Sequence, residues 1–172
     1  KKDAPQLHEP TPAPLAASEF VSEPNAWAGG TFVPAAGGET SMSWPDGRRY
    51  IGGWAADRPE GPGKFTTAEG GTYDGQFRNG QMHGNGVLEP PPPVSDADML
   101  ARAARRAIVA YRGPFEDGRQ HGLGVEEWAD GSRFEGTWQQ GCKKGGGKVI
   151  LPSGLVRRLR QSPEAGALVR QG

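Results

Sequence analysis

The chain has 172 residues with 20 Lys+Arg against 20 Asp+Glu, so its formal net charge is zero and no bulk attraction to nucleic acid is expected. Hydrophobic residues make up 34%, while 28 Gly and 16 Pro exceed a quarter of the chain, a composition that reads as disorder unless the glycines are periodic. The single cysteine, Cys142, excludes an intrachain disulfide or a thiolate metal cluster within one chain, and no apolar run is long enough to cross a bilayer as a helix.

Residues 1–26 carry Pro5, Pro10, Pro12, Pro14 and Pro24 among Ala, Ser and Glu. They read as a linker: a tether to an anchor or another domain, or a disordered end. The start Lys1-Lys2-Asp3, without Met, reads as a fragment of a longer protein. From Trp27 the glycines become periodic. Windows of 23 residues opening at Trp27, Tyr50, Tyr73, Tyr111 and Phe134 place Gly third (Gly29, Gly52, Gly75, Gly113, Gly136) and twelfth (Gly38, Gly61, Gly84, Gly122, Gly145). This is an internal repeat. In the last four windows an aromatic opener is followed four places later by a second ring: Tyr50/Trp54, Tyr73/Phe77, Tyr111/Phe115, Phe134/Trp138. Positions of like parity on a strand share a face, so opener, Gly and second ring point the same way. Turn signals such as Asn79-Gly80 and Asp117-Gly118 follow. Then come a Gly-x-Gly pair and a second turn such as Asp130-Gly131. Each window reads strand, tight turn, strand, tight turn. The fold class is all-β: an elongated antiparallel single-layer sheet of stacked hairpins, roughly 45–50 Å long at two strands per unit, with one inserted helix.

The unit resembles the MORN (membrane occupation and recognition nexus) repeat, Y-x-G-x-[W/F]-x-x-G-x-x-x-G-x-G followed by an aromatic and D-G. The window Tyr111–Arg133 matches it nearly position for position, and those at Tyr50, Tyr73 and Phe134 match well. The Trp27 window is degenerate, with Thr40 in place of the second Gly of the pair and Phe32 one place late, and reads as an N-terminal cap. The resemblance covers about 27–156. It implies a module used in assemblies, in which some arrays associate through terminal repeats. It also implies contact with membranes, or service as an appendage to enzymes such as lipid kinases and methyltransferases.

Between the windows at Tyr73 and Tyr111 the period slips by 15 residues. The insertion, about 91–108, begins with Pro90–Pro93 and then reads as a helix N-capped by Ser95, with Asp96 and Asp98 in its first turn. Leu100, Ala104, Ala107 and Ile108 share one face; Arg102, Arg105 and Arg106 share another. Such a helix would cover part of the aromatic face, contact a partner, or lie on a membrane surface. Residues 157–172 read as a basic tail or cap. There Arg157, Arg158 and Arg160 guard a sheet edge or meet an anion or lipid headgroup.

No catalytic constellation emerges. His83 and His121 hold one repeat position on different hairpins, and Gly145-Gly146-Gly147-Lys148 lacks the spacing of a phosphate loop. Cys142 falls in a turn as an exposed, incidental thiol. No cofactor, metal or small-molecule substrate is expected. The expected function is a non-enzymatic scaffold that binds a protein partner or self-associates. Its predicted contact surfaces are an aromatic groove (Tyr50, Trp54, Tyr73, Phe77, Tyr111, Phe115, Phe134, Trp138) and the inserted helix (Leu100, Arg102, Arg105, Arg106), with Arg157, Arg158 and Arg160 as an anion or lipid contact. The alternatives are an anionic-lipid binding module and a regulatory appendage of an enzyme elsewhere in a longer chain. The Ala/Arg/Gly/Pro bias points to a bacterial envelope or periplasmic setting, with a cytoplasmic one as the alternative.

Overall fold

The computed structural model describes residues 27–34, 40–104, 107–161 and 168–170. The linker 1–26 and the side chains of Arg105, Arg106 and Arg160 lie outside the described residues. The strands are β1 (Thr31–Pro34), β2 (Thr40–Ser43), β3 (Arg49–Ala55), β4 (Arg58–Thr66), β5 (Thr72–Arg78), β6 (Gln81–Glu89), β7 (Ile108–Glu116), β8 (Arg119–Gln120), β9 (Gly122–Trp128), β10 (Arg133–Gln139), β11 (Cys142–Ile150), β12 (Val156–Gln161) and β13 (Leu168–Arg170); α1 spans Asp96–Ala104. All pair antiparallel in chain order within one sheet, with β8 a side partner of β7. The expected sheet of stacked hairpins is the fold.

Two kinds of turn alternate. The tight turns joining the two strands of a unit put two residues in the left-handed region: Ala56-Asp57, Asn79-Gly80, Asp117-Gly118 and Gln140-Gly141. Each of the last three also ties its hairpin to the one before. The amides of Gly80, Gly118 and Gly141 donate to the carbonyls of Pro59, Met82 and Gln120 at 2.9 Å. The turns between units repeat one hydrogen-bond pattern at Trp44–Arg48, Thr67–Gly71, Trp128–Ser132 and Leu151–Leu155. The inserted segment replaces this turn between β6 and β7. There Ser95 Oγ accepts from the Asp98 amide at 3.2 Å, and Asp98 Oδ2 accepts from the Val94 amide at 3.2 Å. The helix is shorter than its sequence suggests. Pro90–Pro93 precede it, and Ile108, read as part of its apolar face, instead opens β7 and is buried.

The register exposes a feature that runs across the sheet. Gly52 pairs Gly63, which pairs Gly75, which pairs Gly86, which pairs Gly113. Gly124 pairs Gly136, which pairs Gly147. A Cβ on Gly113 would stand 2.8 Å from the Gly124 Cα, so the file is continuous from β3 to β11. Thr40 ends it at one side and Leu159 at the other. Each opener ring lies across one pair of these glycines. A Cβ on Gly86 would sit 2.5 Å from the Tyr73 ring, and one on Gly124 2.5 Å from the Tyr111 hydroxyl; Gly63 and Gly147 stand in the same relation to Tyr50 and Phe134. The two glycines of Gly-x-Gly therefore differ in duty. The first, such as Gly84 (φ 58°), permits the bulge at which the β5–β6 register shifts; the second is the seat of a ring.

This distinction is testable. Gly124→Ala drives a methyl into the Tyr111 ring and is expected to cost about 3 kcal/mol, the upper range of overpacking. Gly118→Ala, in a turn with open space around it (φ 79°), is expected to cost about 1 kcal/mol from backbone strain alone. Urea unfolding of both variants measures the difference; equal costs would contradict the seat.

Candidate functional site

The eight rings expected to line a groove form one unbroken file. Trp54, Tyr50, Phe77, Tyr73, Phe115, Tyr111, Trp138 and Phe134 follow one another at centroid separations of 5.0–5.6 Å, mostly edge to face. Trp27 closes the first end against Trp44, Trp54 and Phe65. Seven of the eight are 0–3% exposed. The groove expectation therefore needs correction: a ring with no accessible surface cannot touch a partner, and these rings are the core. The eighth, Trp54, is partly buried and borders a pocket of about 490 Å³ with Trp27, Phe32, Met42, Asp57 and Arg58. The tyrosine hydroxyls turn inward and donate to the carbonyls three residues on, Gly53 (2.8 Å), Gln76 (2.9 Å) and Pro114 (3.2 Å). Burial raises all three phenol pKa values well above the ordinary tyrosine range.

The open surface is the opposite face. Residues of the other parity form rows across the sheet, one of them Ile51, Lys64, Asp74, Val87, Arg112, Val125, Glu135, Lys148 and Arg158. Over β7 and β9–β12 this face holds a groove of about 740 Å³ whose floor includes Gly124, Gly136, Gly146 and Gly147. Its lining includes Leu123 and Thr137 on one side of the glycine file and Val125, Lys148 and Arg158 in the row on the other. Leu123 is 74% exposed. It sits between the two glycines of its unit, where the other units carry Pro62, Asn85 and Gly146. Bonds from Lys148 and Arg133 hold the Glu135 carboxyl below the ordinary carboxylate range.

The predicted helix and tail residues scatter. Leu100 is 73% exposed, as are its apolar neighbours Met99 and Val94 in large part. Arg102 is engaged within the insertion, with Nε 3.0 Å from Asp98 and Nη1 donating to the Pro91 carbonyl at 2.7 Å. The helix contributes no residue to the ring core. Strand alternation splits the basic cluster. Arg157 pairs Val149 and so occupies the opener position of a further unit, whereas Arg158 lies in the groove row on the opposite face. His83 Nδ1 is 3.8 Å from Asp117 and His121 Nδ1 3.0 Å from Glu116, so each has its own acid. Among the described residues no cluster of three His, Cys, Asp or Glu is placed to hold a metal.

The family model described as MORN repeat matches residues 50–72, 73–89 and 111–133. The chain carries MORN repeats. Human alsin is 31% identical over 107 residues, covering 62% of this chain and 6% of alsin. Human ALS2 C-terminal-like protein is 28% identical over 105 residues, covering 61% and 10%, and its Bos taurus counterpart 27% identical over 111 residues, covering 64% and 11%. The chain thus spans a small fraction of the length of these relatives.

The last unit of the array, opening at Phe134, ends differently from the rest. Tyr73 and Tyr111 are covered by the next unit's Phe115 and Trp138. Phe134 is instead met by Lys143, whose Nζ lies 4.7 Å from its centroid and 5.0 Å from that of Trp128. Lys143 is paired at 2.6 Å with Glu126, which also accepts from Trp128 Nε1 at 2.8 Å. Lys143 is 12% exposed and Glu126 3%. This buried pair finishes the ring file; parity alone signals that Glu126 faces the rings, and nothing local in the sequence signals its partner 17 residues on.

Two outcomes follow from the ring file and its end. Lys143→Met leaves Glu126 buried without its cation and is expected to cost about 3 kcal/mol in urea unfolding, whereas Lys143→Met with Glu126→Leu recovers most of that loss. A double variant as unstable as the single one would contradict this. The chain's three tyrosines are all openers, so tyrosinate absorbance reports on the file alone. The folded chain holds those protons past the unfolded value of about 10, so stability falls as pH rises above about 10. Tyrosinate absorbance should rise only together with loss of the sheet's circular dichroism; a rise near pH 10 with the sheet intact would place the phenols in water.

Proposed function

We propose that this MORN array is a non-enzymatic scaffold that holds a protein partner on its ring-free face, as one module of a larger assembly. One observation carries this reading: the aromatic face is sealed into a core, while the opposite face presents an open groove with a large exposed leucine, Leu123. Aliphatic groups exposed close to the cations Lys148 and Arg158 are a surface suited to association rather than to stability of the monomer. The scale of the relatives fits, since the like segment makes up 6–11% of each. Anionic-lipid binding is the second reading, and Arg158, exposed on the groove side, favours it.

Crosslinked pull-down from the native cells separates the readings. Three forms of the full-length protein are compared: wild type, a Leu123→Asp/Arg158→Glu variant, and one with residues 91–106 replaced by the short turn Ala129–Ser132. The expected result is a discrete protein partner that survives loss of the insertion and disappears with the face variant. A partner lost only with the insertion would move the contact to α1. Anionic lipid recovered without a protein partner would overturn the scaffold reading in favour of the membrane one.

A further inference from the structure

The charges around the groove are unevenly satisfied. Glu89 and Glu127 lie 3.8 and 3.5 Å from Arg112, and Glu135 lies 3.1 Å from Arg133 and 2.7 Å from Lys148. Each of these carboxylates on the C-terminal half of the ring-free face thus has a cation. The reverse does not hold. Lys144, across from Thr137 on the same face, and Arg158, across from Lys148, have no ion-pair partner among the described residues. Both are exposed. Leu123, 74% exposed, stands in the row of Lys144, and the half-buried Val125 in the row of Arg158. The floor between is glycine backbone, which lets another chain approach closely. Farther along the same face Lys64 lies 3.9 Å from Asp74.

We infer that the C-terminal half of this face is a docking groove for an acidic linear segment of a partner protein. Its aliphatic side chains would rest on Leu123 and Val125, and its carboxylates would meet Lys144 and Arg158. This rests on the reading of the face as a protein-binding surface and adds the partner's chemistry to it. The occupant is acidic because the unpaired charges in the groove and at its rim are cations, Arg158 and, beside the lining residue Thr137, Lys144, and like-charge contact would be disfavoured. It is a linear segment because the groove crosses five strands, about 20 Å at the strand spacing, and is floored by glycine backbone. Alternating apolar and acidic side chains suit such a floor, since an extended chain presents every second residue to it.

The test uses the purified 172-residue chain and fluorescein-labelled dodecapeptides. One alternates Glu with Leu, one Lys with Leu, and one Glu with Ser. The Glu–Leu peptide is expected to bind at least about tenfold more tightly than either of the others. Binding should weaken with added salt. Leu123→Asp and Arg158→Glu should each weaken it about tenfold, while Ile51→Asp, on the same face at the far end, leaves it unchanged. All three positions are exposed, and circular dichroism confirms folding. Amide shifts on peptide addition should map to Arg112, Leu123, Thr137, Lys148 and Arg158. Equal binding of the Glu–Leu and Lys–Leu peptides, no binding, or shifts confined to α1 would overturn the proposal. So would binding of phosphatidylserine vesicles that displaces the bound peptide and needs Arg158 but not Leu123. If the native partner depends on this face while the acidic peptide does not bind, the groove's assigned chemistry fails and the scaffold reading stands. If neither depends on it, both fail.

Discussion

Tyr50, Tyr73, Tyr111 and Phe134 lie flat across strands at points where a methyl group would collide with the ring, and the whole molecule is arranged so that glycine stands at those points. The constraint propagates. Because each ring spans a cross-strand pair, the glycines must be in register, and the register makes them a single file from β3 to β11. Because the rings lie down rather than stand up, the second ring of the next unit can meet each tyrosine edge to face at 5.0–5.2 Å. Pairs of this kind contribute roughly 0.5–1.5 kcal/mol each beyond their buried area, and the file joins each unit only to its neighbours, as expected for a repeat array. A thin sheet with 34% hydrophobic residues thereby acquires a core without a second layer.

Sealing one face leaves the other as the open side of the sheet. The rings give stability to the array, and the ring-free face gives it a surface whose side chains vary from unit to unit. Position by position that variation is visible: Pro62, Asn85, Leu123 and Gly146 share one place in the unit and have little chemistry in common. Core positions repeat because the ring seat admits few residues, whereas the outward positions are free to differ. The ends break the pattern for a physical reason. A terminal unit has no neighbour to cover its ring, and Trp27 at one end and Lys143 with Glu126 at the other supply that cover.

Much of this was legible in the sequence. The period, the shared parity of opener and second ring, and the Asn79-Gly80 and Asp117-Gly118 turns lead directly to the stacked hairpins. Ser95 and Asp98 mark the start of α1. What misled was the step from a shared face to an open one. Parity tells which side chains point together, but not whether they close over one another, and that depends on rings lying across the glycines of the next strand. Ile108 continued a helical spacing by chance and was claimed by β7, where it is buried. Arg157 and Arg158 looked like one basic cluster and were separated by strand alternation. The groove had a signal that parity makes available: Leu123, a large aliphatic residue flanked by the two glycines of its unit, points away from the rings. The Lys143–Glu126 pair had none, since their proximity follows from the β9–β10–β11 stacking.

The most direct test of the ring seat is the proton spectrum of the assigned, folded chain. A proton held against the face of an aromatic ring is shifted strongly upfield. The account requires one Hα of each of Gly63, Gly86, Gly124 and Gly147 to lie far upfield of ordinary glycine, while those of Gly118 and Gly141, with no side chain near them, remain close to the unfolded position. Upfield shifts at all four seats would establish that the rings lie on the glycine file in solution. Ordinary shifts at those four positions, in a chain that is otherwise folded, would contradict the account at its base.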